Sequence, residues 1–304
     1  MLLQSSSEAI AEAASFISNG ELVIVPTETV YGLAAQALDE EAVKKIFEAK
    51  GRPADNPLIC HAYDKTQVEM LTASWSTQAQ QLADAFWPGP LTLVLPKRNE
   101  VSAVTTGGLN TVAIRMPSHK VFREILKLVG EPVAAPSANL FMGLSPTTAQ
   151  NIDPDLIKEV KLVIDGGSCE FGIESTVLDL SGEIPSLLRP GSISKDQIES
   201  VLNTQINSGS KERKSPGMYP RHYAPKGKVL IDKDIDDKPG LVLTKQPAKD
   251  QVKMPKEPRK YAAKLYAALS EMDQQNQAVI FIEAPPRTPE WDAVWDRLRR
   301  ASAD

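Results

Sequence analysis

Three short stretches of this 304-residue chain gather the residue types from which an anion-handling site is built. The first is PTETVYGLAAQAL (26–38). Thr27, Thr29 and Tyr31 alternate there after an apolar run, so an extended backbone places them on one face, and Gly32 permits a close approach of backbone or ligand. A threonine-rich turn leaving a sheet fits the same residues. The second is KGRPADNPLICH (50–61), where Lys50 and Arg52 sit beside a loop stiffened by Pro53 and Pro57, with Asn56 between the prolines. Such a pair clamps a polyphosphate, the guanidinium as a fork and the ammonium as a point charge. Equally, Lys50 suits a helix C-terminus and Arg52 a solvated surface. The third is APSAN (135–139), followed by GLSPTT (143–148). Its small hydroxyls, its amides and Asn139 suit a phosphate or an adenine edge, and also an ordinary turn.

Thr111 and Arg115 bracket the apolar VAI, paired glycines precede Glu174, Ser175 and Thr176, and Arg189 ends a short strand before Pro190-Gly191. Loop-borne arginines and hydroxyls at the C-terminal ends of strands fit the rule for ligand sites in open α/β sheets. Motifs that are absent narrow the chemistry. The chain has no GxxxxGK[ST] loop, no GxGxxG after its first strand and no GxSxG elbow. His61, His119 and His222 have no metal-ligand spacing, so no protein-held metal is expected.

The elements that must position these residues follow an α/β pattern, with short apolar segments alternating with amphipathic ones. A helix is predicted around Ile10, Ala13, Ala14 and Ile17, stopped by Asn19-Gly20, and another over 40–50 with Val43, Ile46 and Phe47 on one face. Strands are predicted at 22–25, 58–60, 91–95, 112–114, 133–135, 162–164 and 176–180. After Ile206 the composition turns to Gly, Pro, Ser and basic residues without an apolar period, which marks a linker. Beyond it, strands at 229–231, 241–243 and 279–282 and helices at 260–272 and 290–300 make a small second α/β domain. The division is residues 1–206, a linker 207–227, and 228–304.

With 42% apolar and 24% charged residues the chain can bury a substantial core, and a net charge of −5 argues against a surface built throughout for nucleic acid. Two distant cysteines, Cys60 and Cys169, make no disulfide framework, and no segment reads as a signal peptide or membrane span. The expectation is a cytoplasmic protein with no membrane association.

Taken together and in order, PTETVYGL, AKGRPADNPL, APSAN, DGG followed by GIESTV, LLRPG and SPGMYPRHYAP resemble the motifs of the threonylcarbamoyl-AMP synthase (YrdC-like) family, in its two-domain branch. Pro220 departs from the pattern, which runs tyrosine directly into RHYAP, and about eighty residues is short for the branch's last domain. The resemblance implies a twisted open mixed α/β sheet with a large concave cavity, and a smaller Rossmann-like α/β C-terminal domain. It implies condensation of L-threonine, bicarbonate and ATP to threonylcarbamoyl-AMP and pyrophosphate, for threonylcarbamoyladenosine modification of tRNA beside the anticodon by downstream partner proteins. It places Thr29, His61, Arg115 and Ser175 on threonine. It places Lys50, Arg52, Asn56, Thr111, Ala135, Ser137, Asn139, Ser145, Arg189, His222 and Tyr223 around ATP, with Lys50 and Arg52 catalytic and the linker as a lid. Mg²⁺ comes with ATP, held mainly through its phosphates, and no tightly bound organic cofactor is implied. Lys44, Lys45, Lys50 and Arg52 with the basic linker also raise weak binding of tRNA or duplex RNA.

Overall fold

The computed structural model describes residues 1–209 and 219–303. Its N-terminal strands are β1 (Leu2–Gln4), β2 (Val23–Val25), β3 (Gly32–Gln36), β4 (Ile59–His61), β5 (Leu91–Pro96), β6 (Thr111–Arg115), β7 (Val133–Ala134), β8 (Leu162–Asp165), β9 (Thr176–Asp179), β10 (Ser186–Arg189) and β11 (Asn207–Ser208). Among the described residues they form one mixed sheet in the order β1-β8-β2-β3-β7-β4-β6-β5-β9-β10-β11. The predicted strands are present with ends shifted by a residue or two. β1, β3 and β11 were not legible as strands, because β1 and β11 are brief and β3 follows directly on a turn-like motif.

Helices cover the sheet: α1 (Ser7–Ser18), α2 (Glu40–Lys50), α3 (Lys65–Leu71), α4 (Thr77–Phe86), α5 (Ala103–Thr106), α6 (Lys120–Val129), α7 (Pro154–Lys158) and α8 (Lys195–Leu202). Ala9, Ala13 and Ile17 of α1 with Phe122, Ile125 and Leu126 of α6 close one face, and Val43 and Ile46 of α2 with Leu82 of α4 and Ile198 of α8 close the other. Two ends of α2 fix its place. Asp39 caps the first turn by accepting from the amides of Glu41 and Ala42, and Gly51 ends the helix in the left-handed region at φ 59°. That turn swings Arg52 inward immediately after Lys50.

Strand register then sets the floor of the site. His61 of β4 lies opposite Arg115 of β6, and Arg115 lies opposite Thr92 of β5. Residues in register on neighbouring strands share a face, so the three side chains form one row.

The C-terminal part carries β12 (Lys228–Asp232), β13 (Gly240–Val242), β14 (Gln251–Lys253) and β15 (Val279–Glu283), all parallel in the order β12-β15-β13-β14, with α9 (Pro258–Gln274) and α10 (Asp292–Ala301). At the C-terminal end of this sheet the Glu283 carboxylate accepts from the amides of Leu243 (2.6 Å) and Thr244 (3.0 Å) and from the Thr244 hydroxyl. The apolar core of this part is shared with the rest of the chain: Val30, Ile173 and Tyr223 pack into it. Contact is close enough at Gly172, φ 67°, that a Cβ there would lie 2.4 Å from the carbonyl oxygen of Ala263 in α9. Among the described residues no helix is long and apolar enough to cross a membrane.

Candidate active site

Val25 ends β2 and Gly32 begins β3, so residues 26–31 are a turn between antiparallel strands and not an extended segment. Thr27 Oγ1 organises the turn, donating to Val30 O (2.6 Å) and accepting from the amides of Thr29 (3.1 Å) and Val30 (3.2 Å). The expectation of one shared face therefore fails at Tyr31. Thr27 and Thr29 face a cavity, while the Tyr31 hydroxyl turns away to donate to Gly167 O at 2.8 Å.

The cavity is lined by Thr27, Thr29, Arg52, Ile59, His61, Arg115, Ala135, Ser137, Glu174, Ser175, Arg189, His222 and Tyr223 among others, and its free volume is about 40 Å³. The resemblance implied a large concavity; with His222 and Tyr223 inside it, room for a few waters is left. Ten of the fifteen residues assigned from sequence, all from Thr29 to Tyr223 in that list except Lys50, Asn56, Thr111, Asn139 and Ser145, border it directly.

Arg115 is buried on the floor. Its Nη1 donates to Thr29 Oγ1 (2.9 Å), its Nε to Gly89 O (3.3 Å), and its Nη2 forms an ion pair with buried Glu28 at 2.7 Å, off the N–H direction. Burial pushes the Glu28 pKa up, but the charge and hydrogen bonding of Arg115 with backbone amides outweigh it and hold the carboxyl below its usual range. Across the floor, Thr92 Oγ1 and Ser175 Oγ share a hydrogen bond of 2.7 Å. Arg189 donates from Nε to Ser175 O (3.0 Å) and from Nη2 to Ser175 Oγ (3.1 Å). Gly191 makes this packing possible, since a Cβ there would lie 2.4 Å from the Thr176 amide.

Lys50 and Arg52 are both buried, so the solvated alternative fails for each. Arg52 borders the cavity and donates to Pro57 O (2.9 Å) and Asn56 O (3.3 Å); burial pushes its pKa down to about 10, which leaves it charged at neutral pH. Lys50 instead donates to the carbonyls of Ser137 (2.6 Å) and Asn139, fastening the APSAN loop to the end of α2. Asn139 Nδ2 donates to Leu140 O and Gly143 O, and Ser145 Oγ donates to Glu174 Oε1 at 2.6 Å. Asn56 Nδ2, His61 Nδ1, Thr111 Oγ1 and Asn139 Oδ1 are buried side-chain atoms with no hydrogen-bond partner among the described residues. Each such group costs about 1 to 3 kcal/mol, a cost that a polar ligand removes.

The linker closes the top; Ser215 to Met218 of its motif lie outside the described residues. Tyr223 stands at φ 56°, unusual for an aromatic residue, with its hydroxyl 3.3 Å from Arg189 Nη1 and its ring 4.1 Å from that of His222. The Tyr219 hydroxyl donates to Asp55 Oδ1 (3.1 Å), and Arg300 of α10 donates to Tyr219 O (2.7 Å). Cys60 and Cys169 are buried free thiols pushed up to about 12 by burial, which makes neither a nucleophile. The four basic residues that suggested an RNA surface do not form one. Lys44 pairs with Glu40 and Glu41, Lys45 with Glu21 and Gly20 O, and the other two are buried.

Burial pushes His61 and His222 down to about 3, so both are neutral at physiological pH. Unfolding frees them to take a proton near the ordinary value of about 6.5. The folded state therefore loses stability as pH falls from about 6.5 towards 3. The depressed carboxyls Glu28 and Glu174 add to that loss only below about 4.3, the usual unfolded value for Glu. Thermal melts are expected to show Tm falling already between neutral pH and about 5. His222→Gln should flatten that part of the curve; an unchanged slope would count against a buried neutral imidazole.

Sequence reasoning gave no role to three neighbours of the site: Glu28, which pairs with Arg115; Glu174, named beside Ser175 but left unassigned, which borders the cavity; and Arg297 of α10, bonded to Glu174. The acidic residues had a signal, a lone carboxylate inside the otherwise uncharged runs PTETV and GIESTV. Arg297 had none, because its partner is 123 positions away.

A mixed α/β sheet with a guanidinium-lined cavity under a linker defines the class, and comparison with known proteins gives the family. The Sua5/YciO/YrdC family model, described as telomere recombination, matches residues 15–191, and the model described as threonylcarbamoyl-AMP synthase, C-terminal domain, matches 193–303. The threonylcarbamoyl-AMP synthase of Pyrococcus abyssi is 42% identical over 95% of this chain and 93% of its own length. That of Bacillus subtilis is 40% identical over 99% and 94%. The crystal structure of P. abyssi Sua5 complexed with L-threonine superposes with a TM-score of 0.92 at 41% identity, covering 99% of this chain and 97% of that one. The chain belongs to the threonylcarbamoyl-AMP synthase family.

Proposed function

We propose that this chain condenses L-threonine, bicarbonate and ATP into threonylcarbamoyl-AMP and pyrophosphate, supplying the modification of tRNA beside the anticodon. The observation that carries this reading is the convergence of Arg52, Arg115 and Arg189, from three separate motifs, on one cavity whose sole acidic lining residue, among the described residues, is Glu174. Every substrate brings negative charge to that place: a carboxylate, a carbonate and a polyphosphate. Arg115, held from behind by Glu28, is the fork for the threonine carboxylate, with Thr29, His61 and Ser175 around the rest of the amino acid. Neutral His61 can accept or donate a hydrogen bond without adding charge.

The threonine amine takes up the carbon of bicarbonate, its proton leaving with the bicarbonate hydroxyl as water; the carbamate oxygen then attacks the α-phosphorus and the bond to pyrophosphate breaks. The carbamate is already an anionic nucleophile, so alignment and charge neutralisation dominate over general-base catalysis. Arg52 and Arg189 neutralise phosphate charge. Lys50, the other cation of the motif, holds the Ser137–Asn139 backbone that faces the nucleotide. Mg²⁺ would be held mainly through the ATP phosphates, whose charge it would help to neutralise. Among the described residues no three His, Cys, Asp or Glu side chains form a group able to hold a metal, and the two carboxylates nearest the cavity are bound to Arg115 and Arg297. ATP is far larger than the closed cavity, so His222 and Tyr223 must withdraw for it to enter and return to exclude water from a mixed anhydride.

The test is pyrophosphate release coupled to formation of an AMP-containing product. Release is expected only with threonine and bicarbonate both present; release indifferent to threonine would falsify the reading. Serine in place of threonine should be discriminated only modestly, since one methyl is worth about 1 to 3 kcal/mol.

A further inference from the structure

Among the residues by which the last helix reaches the cavity wall, Arg297 is the most deeply buried. Arg297 is fully buried, and its guanidinium spans two backbone segments of the N-terminal part. Nε donates to Glu174 Oε2 (2.9 Å), Nη2 to Glu174 O (3.1 Å) and Nη1 to Pro190 O (2.8 Å). Ser175 and Arg189, each one position from those contacts, are joined to one another by two hydrogen bonds. The Tyr266 hydroxyl of α9 adds a bond to Glu174 Oε2 at 3.0 Å.

Building on the function proposed above, we propose that Arg297 is a positioning residue for the condensation: it fixes Ser175 and Arg189 in the geometry that meets substrate, and it cancels the charge of Glu174. Two physical arguments support this. First, a buried ion pair gains little stability over apolar packing of the same volume, so simple attachment of the C-terminal part does not require one. A guanidinium bonded to two separate carbonyls and to the carboxylates of Glu174 and Asp296 does fix relative position, because its donors are held in a rigid plane. Second, Glu174 borders a cavity that takes anions, and without a cation beside it would repel them. The C-terminal part thereby completes the site.

The groups facing Glu174 are Arg297 from α10, Tyr266 from α9, Arg189 from β10, Tyr223 and His222 from the linker, and the Ser145 hydroxyl. In the intact chain burial pushes the Glu174 pKa up, but Arg297 and Arg189 with the Ser145 bond hold it below the usual range. Deleting Arg297 removes the largest of these opposing influences, so the carboxyl's titration should move upward.

Threonine affinity by calorimetry and KM with kcat are to be measured on the full chain and on R297M, R297K and E174Q/R297M. R297M is expected to weaken threonine binding roughly thirtyfold or more at neutral pH. Part of that loss should return as pH falls towards about 5 and Glu174 takes a proton, a recovery absent from the intact chain. E174Q/R297M should restore most of the affinity lost to charge but not the kcat lost to position. R297K, which keeps the charge but cannot span both carbonyls, should lower kcat more than it raises KM. If R297M does not fold, the R297K and E174Q/R297M results decide the matter. Variants that melt at lower temperature yet bind and turn over normally per folded molecule, with an unchanged pH profile, would overturn the proposal. Failure of the unaltered chain to bind threonine strikes the functional reading; intact binding that R297M leaves unchanged strikes this one.

Discussion

Arg115→Met is expected to abolish measurable threonine binding and to destabilise the fold in the same stroke. The binding loss follows from removing a bidentate, charge-assisted contact worth about 3 to 6 kcal/mol, or roughly 10²- to 10⁴-fold in Kd. The stability loss follows from what remains: Glu28 is 3% exposed, and its ion-pair partner would be gone. Breaking a buried pair from one side typically costs about 3 to 5 kcal/mol. The double variant Glu28→Gln with Arg115→Met separates the two effects. It should recover much of the Tm and none of the affinity, as read by melts and calorimetry. A single variant that still binds threonine would remove Arg115 from the amino-acid site. The stabilisation also has a pH signature: a carboxyl held low in the folded state contributes fully above about 4.3 and is lost as pH falls through the folded value.

Arg52→Ala and Lys50→Ala are expected to part company although both cations belong to one motif. Arg52 faces the cavity, so its loss should lower turnover by about 10² to 10³, the range seen when one preorganised donor to a developing charge is removed. Its partners, the carbonyls of Asn56 and Pro57, lie in the loop itself, and Tm should fall by only a few degrees. Lys50 is bonded to two carbonyls of the APSAN loop, 87 and 89 positions away, and its ammonium pKa is pushed well down by burial and by Arg52. Lys50→Ala should therefore lose activity and loop order together, visible as faster hydrogen exchange around Ser137 to Asn139. Near-normal rates in Arg52→Ala would return that residue to a purely structural role; normal exchange in Lys50→Ala would do the same to the fastening.

How far these residues could be read before folding depended on the range of the interaction that uses them. The strands and α2 were legible because apolar period and caps are local, as with Asp39 and Gly51 on either side of α2. The list around the cavity was legible because each motif carries its own cations and hydroxyls. What escaped was the pairing between motifs. Nothing near Arg115 announces Glu28, and nothing near Glu174 announces Arg297, since strand order and domain packing bring them together. Tyr31 was misplaced for the opposite reason. Alternation along PTETVY looks like a strand, but the Thr27 hydroxyl competes for the backbone and bends it into a turn.

The Glu283 carboxylate at the end of the C-terminal sheet has a consequence for what that part of the chain can do. In open parallel sheets, amides at the strand ends are where nucleotide phosphates dock. Here those of Leu243 and Thr244 are taken by a side chain of the neighbouring strand. A phosphate arriving there meets a tethered competitor, present at an effective concentration of order millimolar even when solvent holds none. The smaller sheet thus ends in a carboxylate bound to its own backbone where an open parallel sheet would offer free amides.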